Sequence, residues 1–133
     1  MSNAPLIFIS HSSLDENLAA NLCTELQARG ISTWIAGRDV PVGGDHAHES
    51  TLAISQCDGV AVILSLGAMQ SGFVRREVEF AVSNRVPVYP IQAGVRAFTV
   101  PYAWDLLLVS LQVLTVSSMG DAARSIASRV RRS

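Results

Sequence analysis

The chain contains no lysine: all ten bases among its 133 residues are arginine. A Walker phosphate loop needs a lysine to reach the terminal phosphates of a nucleotide, so that use is excluded. Cysteine is nearly as scarce. Cys23 and Cys57 are the only two, and isolated thiols make neither a disulfide framework nor a zinc site. A reducing, cytoplasmic setting fits that usage. Charged residues are only 16% against 49% hydrophobic, the opposite of the balance that keeps a chain disordered. Long apolar runs are also missing. The longest, Val60-Ala61-Val62-Ile63-Leu64, falls far short of the roughly 18 residues that a membrane-spanning helix needs. No charged segment with an apolar stretch behind it opens the chain, and Met1-Ser2-Asn3-Ala4 reads as a native start or a cloning remnant. The length suits one domain, over residues 5–131.

A net charge of -1 argues against a nucleic-acid partner. The charge is unevenly spread, with -5 on residues 1–66 and +4 on residues 67–133. Such polarity suits head-to-tail self-association, or is a plain imbalance between solvated faces.

What the sequence does contain is an alternation of short apolar runs with amphipathic stretches. Leu6-Ile7-Phe8-Ile9 reads as a buried strand, Ser10-His11-Ser12-Ser13 as a polar loop, and the spacing of Leu14, Leu18, Ala19, Leu22 and Leu26 as a helix. Ser13 with Glu16 resembles a capping box, and Arg29-Gly30 closes the helix with a cation and a C-cap glycine. Ser32-Thr33-Trp34-Ile35 is a second strand, and the turn formers of residues 37–45 make an exposed loop whose Asp45 caps a helix reaching about Gln56. Residues 58–64 form the strongest strand. A helix carrying Phe73, Val74, Val78, Ala81 and Val82 ends near Asn84, and residues 87–91 are a fourth strand. Residues 94–104 show no clear period, 106–116 hold a short fifth strand, and 121–131 read as a terminal helix. Continuously apolar strands alternating with helices imply a parallel sheet covered on both faces. The fold expected is a doubly wound, flavodoxin-like α/β domain of five strands in the order 2-1-3-4-5.

Ligands of such sheets bind beyond the carboxyl ends of the strands, so the loops to inspect hold Ser10-His11-Ser12, residues 34–45 and residues 66–77. No G-x-G-x-x-G spacing follows a strand, and no G-x-S-x-G elbow marks a hydrolase nucleophile. His46 and His48, two residues apart, do not share one face of a helix, and no metal is expected. Glu77, in the first two turns of the helix after strand three, reads either as a solvated acid paired with Arg75 or Arg76 or as a functional carboxylate. Glu79, about 200° further around the helix, is the better candidate for the ordinary ion pair. A lone carboxylate suits the stabilisation of an oxocarbenium-like centre as a glycosidic bond breaks, and one suffices when the leaving group is a cationic nicotinamide.

Five segments in order then resemble the TIR (Toll/interleukin-1 receptor) domain of bacterial type. They are Phe8-Ile9-Ser10-His11-Ser12, Gly30-Ile31-Ser32-Thr33-Trp34, Asp39-Val40-Pro41-Val42-Gly43 in the BB loop, Val62-Ile63-Leu64-Ser65, and Ser71-Gly72-Phe73-Val74-Arg75-Arg76-Glu77. The resemblance implies an enzyme that takes NAD+ as substrate, with no further cofactor, and breaks its nicotinamide–ribose bond by hydrolysis or cyclisation in bacterial immune signalling. It places Glu77 on the catalytic glutamate, Trp34 on an aromatic that stacks on nicotinamide, and Ser10, His11 and Ser12 on pocket positions. By its place alone, Trp34 equally reads as a core residue. Phe73 stands where the family usually has tryptophan, and Val74 replaces a cysteine. The resemblance further implies assembly through the BB loop, where Arg38, Asp39, Pro41 and Gly43 lie, and a sensor domain in a longer protein. The alternative it leaves is a noncatalytic TIR–TIR interaction module.

Overall fold

A computed structural model describes residues 4–35, 46–94 and 98–130, with His46 by its backbone. Strands β1 (Leu6–Ser10), β2 (Ser32–Ile35), β3 (Gly59–Ile63), β4 (Val88–Ala93) and β5 (Leu114–Val116) form one sheet. Its order is β2-β1-β3-β4-β5 and every pair is parallel, as expected from the apolar runs. Helices α1 (Glu16–Gln27), α2 (His46–Gln56), α3 (Leu66–Gln70), α4 (Gly72–Ser83), α5 (Tyr102–Leu108) and α6 (Met119–Val130) connect and cover the strands. Among the described residues no helix is long and apolar enough to cross a membrane.

The two-residue period of a strand divides the core. Ile7 and Ile9 of β1, Ala61 and Ile63 of β3 and Ile91 of β4 face α1 and α6. Phe8, Val60, Val62 and Val88 face α2, α4 and α5. Helix α1 buries Ala19, Leu22, Cys23 and Leu26, the three- and four-residue spacing of a single face, and α6 buries Met119, Ala122, Ala123, Ile126 and Val130 in the same pattern. Ser10 has the parity of Phe8, so the last residue of β1 faces α4.

Pro90 lies inside β4, where proline removes a ladder donor. Val60 and Leu64 donate to the carbonyls of Pro87 and Ile91, whereas Gly94 donates to Val116, so the amides of even-numbered β4 residues face β5. Pairing with β5 begins only at Ile91 opposite Leu114. The missing N–H of Pro90 therefore points just ahead of β5, and no sheet bond is lost.

Three local expectations change, and a fourth, a short fifth strand within residues 106–116, is met by β5. The helix start assigned to Ser13 is a 3-10 turn over Ser13–Asp15 capped by Ser12, whose Oγ accepts the Leu14 amide at 3.2 Å; α1 follows from Glu16. A short helix, α3, precedes α4 because the Ser65 hydroxyl accepts the Ala68 amide at 3.0 Å. Residues 102–108 are helical although 94–104 show no clear period, because α5 exposes Tyr102 and Leu106, as well as Val109 at its C-cap, and buries only Trp104 and Leu108. That helix takes the first part of the segment expected to hold the fifth strand, and β5 occupies its last three residues. The expected Asp45 cap lies outside the described residues. The α1 stop is as expected: Gly30 adopts φ 78° while Gly30 and Ile31 return amides to Gln27 and Leu26.

Candidate functional site

Helix α4 is anchored by Val74, Val78 and Ala81, and the fourth residue on that buried stripe is Glu77. A carboxylate at an apolar position of an amphipathic helix has to be paid for by partners or by function. Ser10, at the carboxyl end of β1, donates its hydroxyl to Glu77 Oε1 at 2.7 Å. Oε2 has no hydrogen-bond partner although the side chain is buried. Burial raises the pKa of the carboxyl; the Ser10 bond, and the nearness of a Ser50 hydroxyl that does not reach normal bonding geometry, lower it back in part.

The carboxylate stands in the wall of a pocket of about 300 Å³ between α2 and α4. Among the described residues, α2 contributes Ala47, Ser50, Thr51 and Ile54, and α4 contributes Phe73, Arg76, Glu77 and Phe80. Both sets repeat at three and four residues, so two helix faces oppose each other across the cavity. Arg76 is exposed at the rim with its guanidinium 5.9 Å from the centroid of the Phe73 ring, within cation–π range. An apolar cavity with a few convergent polar groups and one carboxyl of shifted pKa is the usual form of a small-molecule site.

The other residues singled out from sequence are placed as follows. Ser12 is buried and structural in its contacts: besides capping the 3-10 turn it donates to Asp15 Oδ2 at 2.9 Å, and the same oxygen accepts the Ser65 hydroxyl, tying the β1 loop to the start of α3. The packing there is close, since a Cβ at Gly67 would meet Ser12 Oγ at 2.5 Å. His11 Nδ1 lies 2.7 Å from the Ser12 carbonyl, the geometry of the tautomer protonated at Nδ1. Trp34 is half-buried and stacked on Phe8, directly opposite it in β1, with ring centroids 4.9 Å apart and planes 13° apart. Ser10, His11, Ser12 and Trp34 stand outside the described pocket wall, and only Phe73 and Glu77 of the sequence candidates lie in it. Glu79 makes the ordinary pair with Arg75, Oε1 to Nε at 3.9 Å. Arg38, Asp39, Pro41 and Gly43 lie outside the described residues. Among the described residues no three potential metal ligands stand together.

The residues that sequence reading passed over are those of α2, above all Ser50. The available signal was the spacing 47-50-51-54, which sets Ser50 in the stripe that Ile54 buries.

The family model described as TIR domain matches residues 7–126. Among solved structures, the TIR domain of the Toll-related receptor TRR-2 from Hydra magnipapillata is 21% identical, with a TM-score of 0.77 over 94% of this chain and 97% of that one. The TIR domains of the activated Roq1 resistosome, which directly recognises the pathogen effector XopQ, are 18% identical with a TM-score of 0.59, covering 66% of this chain and 57% of that one. The Clostridium botulinum CMP N-glycosidase BcmB is 12% identical with a TM-score of 0.61, over 91% of this chain and 97% of that one. No curated protein matches the chain.

Proposed function

The chain belongs to the TIR domain family, and from that premise we propose that it cleaves the nicotinamide–ribose bond of NAD+ with Glu77 as its catalytic residue. One observation carries the reading: Glu77 is buried in the wall of a 300 Å³ pocket with one carboxylate oxygen held by Ser10 and the other unpaired.

The chemistry follows from that arrangement. Oε2 accepts hydrogen bonds from hydroxyls of the nicotinamide-side ribose, and the carboxylate's charge stabilises the positive charge that develops as the C1′–N bond breaks. The bonding pair leaves with nicotinamide, which departs neutral, so no general acid is needed. Water then bonds to C1′ and releases one proton, giving ADP-ribose; attack by another part of the nucleotide gives a cyclic ADP-ribose isomer instead. Ser10 acts on Glu77, turning Oε2 toward the pocket, while Phe73 supplies an aromatic wall for the nicotinamide. The ionised carboxylate is the working form. Because burial raises its pKa, activity falls on the acid side at a higher pH than for an ordinary glutamate.

The CMP N-glycosidase neighbour supports the reading in that its name puts cleavage of an N-glycosidic bond on the same fold. Self-association completes the proposal: a second copy contacts the BB loop at Arg38, Asp39, Pro41 and Gly43, and a sensor domain in a longer, cytoplasmic protein triggers assembly in bacterial antiphage defence. A noncatalytic TIR–TIR module is the second reading, favoured by the exposed Tyr102 and Leu106 of α5, with Val109 at its C-cap on the same side, and by phenylalanine in place of tryptophan at Phe73.

The test is NAD+ consumption at high protein concentration or with a crowding agent, products resolved by chromatography, for wild type and Glu77→Ala. Turnover by wild type and its loss in the variant establish the enzyme, and the product peak separates hydrolase from cyclase. NAD+ left intact by concentrated, assembled wild type rejects the enzymatic reading in favour of the interaction module.

A further inference from the structure

Two buried oxygens without hydrogen-bond partners line the same pocket: Glu77 Oε2 on α4 and Ser50 Oγ on α2. Ser50 is only 2% exposed. A helical serine or threonine ordinarily returns its hydroxyl to a carbonyl one turn back, as Thr51 does to Ala47 at 2.8 Å. Ser50 makes no such bond, although the next residue shows that the helix permits it. Its hydroxyl is instead close enough to Glu77 to influence the carboxyl's titration. The rest of the described wall offers little else that is polar. Thr51 is occupied by Ala47, and Arg76 is exposed at the rim.

A buried polar oxygen with no partner lowers stability, and a serine hydroxyl and a carboxylate oxygen facing one cavity are satisfied together by a ligand bearing two adjacent hydroxyls. We infer that Ser50 is a substrate-binding residue that grips, with Glu77, the vicinal diol of the substrate ribose. Glu77 Oε2 accepts from one hydroxyl, and Ser50 Oγ, able both to donate and to accept, bonds the other. The inference rests on the NAD+-cleaving reading of the pocket and adds the second contact of its sugar subsite.

The experiment uses the full chain as wild type and Ser50→Ala, with melting midpoints measured without ligand and kcat and KM measured for NAD+ under assembling conditions. Because the hydroxyl has no bond of normal geometry and gives the Glu77 charge only weak support, its removal shifts the midpoint by no more than about 3 °C. KM for NAD+ rises by roughly 3- to 10-fold, the worth of one neutral hydrogen bond, while kcat changes little because ribose is held alike in ground and transition states. An unchanged KM overturns the inference and leaves the NAD+-cleaving reading standing. A midpoint lowered by clearly more than that, with or without a change in KM, marks the hydroxyl as structural and also overturns it. Absence of turnover in wild type removes the functional reading itself, and the inference falls with it.

Discussion

On the side of the sheet covered by α1 and α6, Ile7, Ile9, Ala61, Ile63 and Ile91 meet Leu22, Leu26, Ala122, Ala123 and Ile126. Among the described residues, no buried side-chain nitrogen or oxygen on that side lacks a partner. On the side covered by α2, α4 and α5 four such atoms do: Ser50 Oγ, Glu77 Oε2, Trp104 Nε1, and Oε1 of Gln92, which has the strand parity of Val88; a fifth, Arg75 Nε, has no hydrogen bond but is ion-paired with Glu79. Two of the four, Ser50 Oγ and Glu77 Oε2, converge on the pocket. Both sides are built from the same strands, whose alternate residues go to one or the other, so the difference arises from what the helices bring. One side is closed by apolar residues and Cys23 at its stripe positions; the other keeps a serine and a carboxylate there. Unsatisfied buried polar groups lower stability, and on the proposed reading the two beside the cavity are where stability is exchanged for binding.

The largest expected effect is on chemistry. Glu77→Ala lowers the rate of NAD+ cleavage by roughly 10²- to 10³-fold or more, the range for removing a group that stabilises developing charge; a rate within a factor of two of wild type makes the two sides of the sheet functionally equivalent. Leu22→Ala, on the closed side, costs about 2–5 kcal/mol of unfolding free energy through the cavity it leaves, measured by urea denaturation. Its cleavage rate per folded molecule stays at the wild-type value, which separates scaffold from site. Ser10→Ala takes away the bond that holds Oε1 and lowers the Glu77 pKa. Activity at neutral pH then drops by roughly 10-fold. The acid limb of the pH–rate profile also moves to higher pH, because burial is left less opposed; a limb that stays in place contradicts the orienting role.

Strands β3 and β4 were legible because they are apolar on both faces and lie within two residues of the runs that announced them, whereas β2 falls on Ser32–Ile35, a half-exposed strand with Ser32 and Thr33 at its start. Helix α5 was not legible. Its exposed Tyr102 and Leu106, with Val109 at its C-cap, are as apolar as its buried Trp104 and Leu108, so no one-sided period forms. The start of α1 was misplaced because Ser12 and Ser13 offer the same chemistry, and which hydroxyl caps depends on the contact of Ser12 with Asp15 and Gly67 in space. Within the site, Glu77 was legible from its place after strand three, whereas Ser50 was not. A serine on a helix reads as solvated unless the face it shares is known to be buried. Trp34 shows the reverse limit: its motif position carries no sign of Phe8, the ring against which it stacks.

The smallest effect bears most directly on the claim that Glu77 is buried for function and not for stability. Burial raises the Glu77 pKa in the folded protein, so above that value the group is ionised in both states and the cost of burying its charge is fully present; as pH falls through the folded value the folded chain takes up the proton first and the cost is relieved. A pair of thermal melts, wild type beside Glu77→Gln at neutral pH, reads this cost. The account predicts that Glu77→Gln is the more stable, by roughly 1 kcal/mol, with the two converging below the ordinary glutamate range. A lower midpoint for Glu77→Gln at neutral pH would show the carboxylate holding the fold together and would contradict the account.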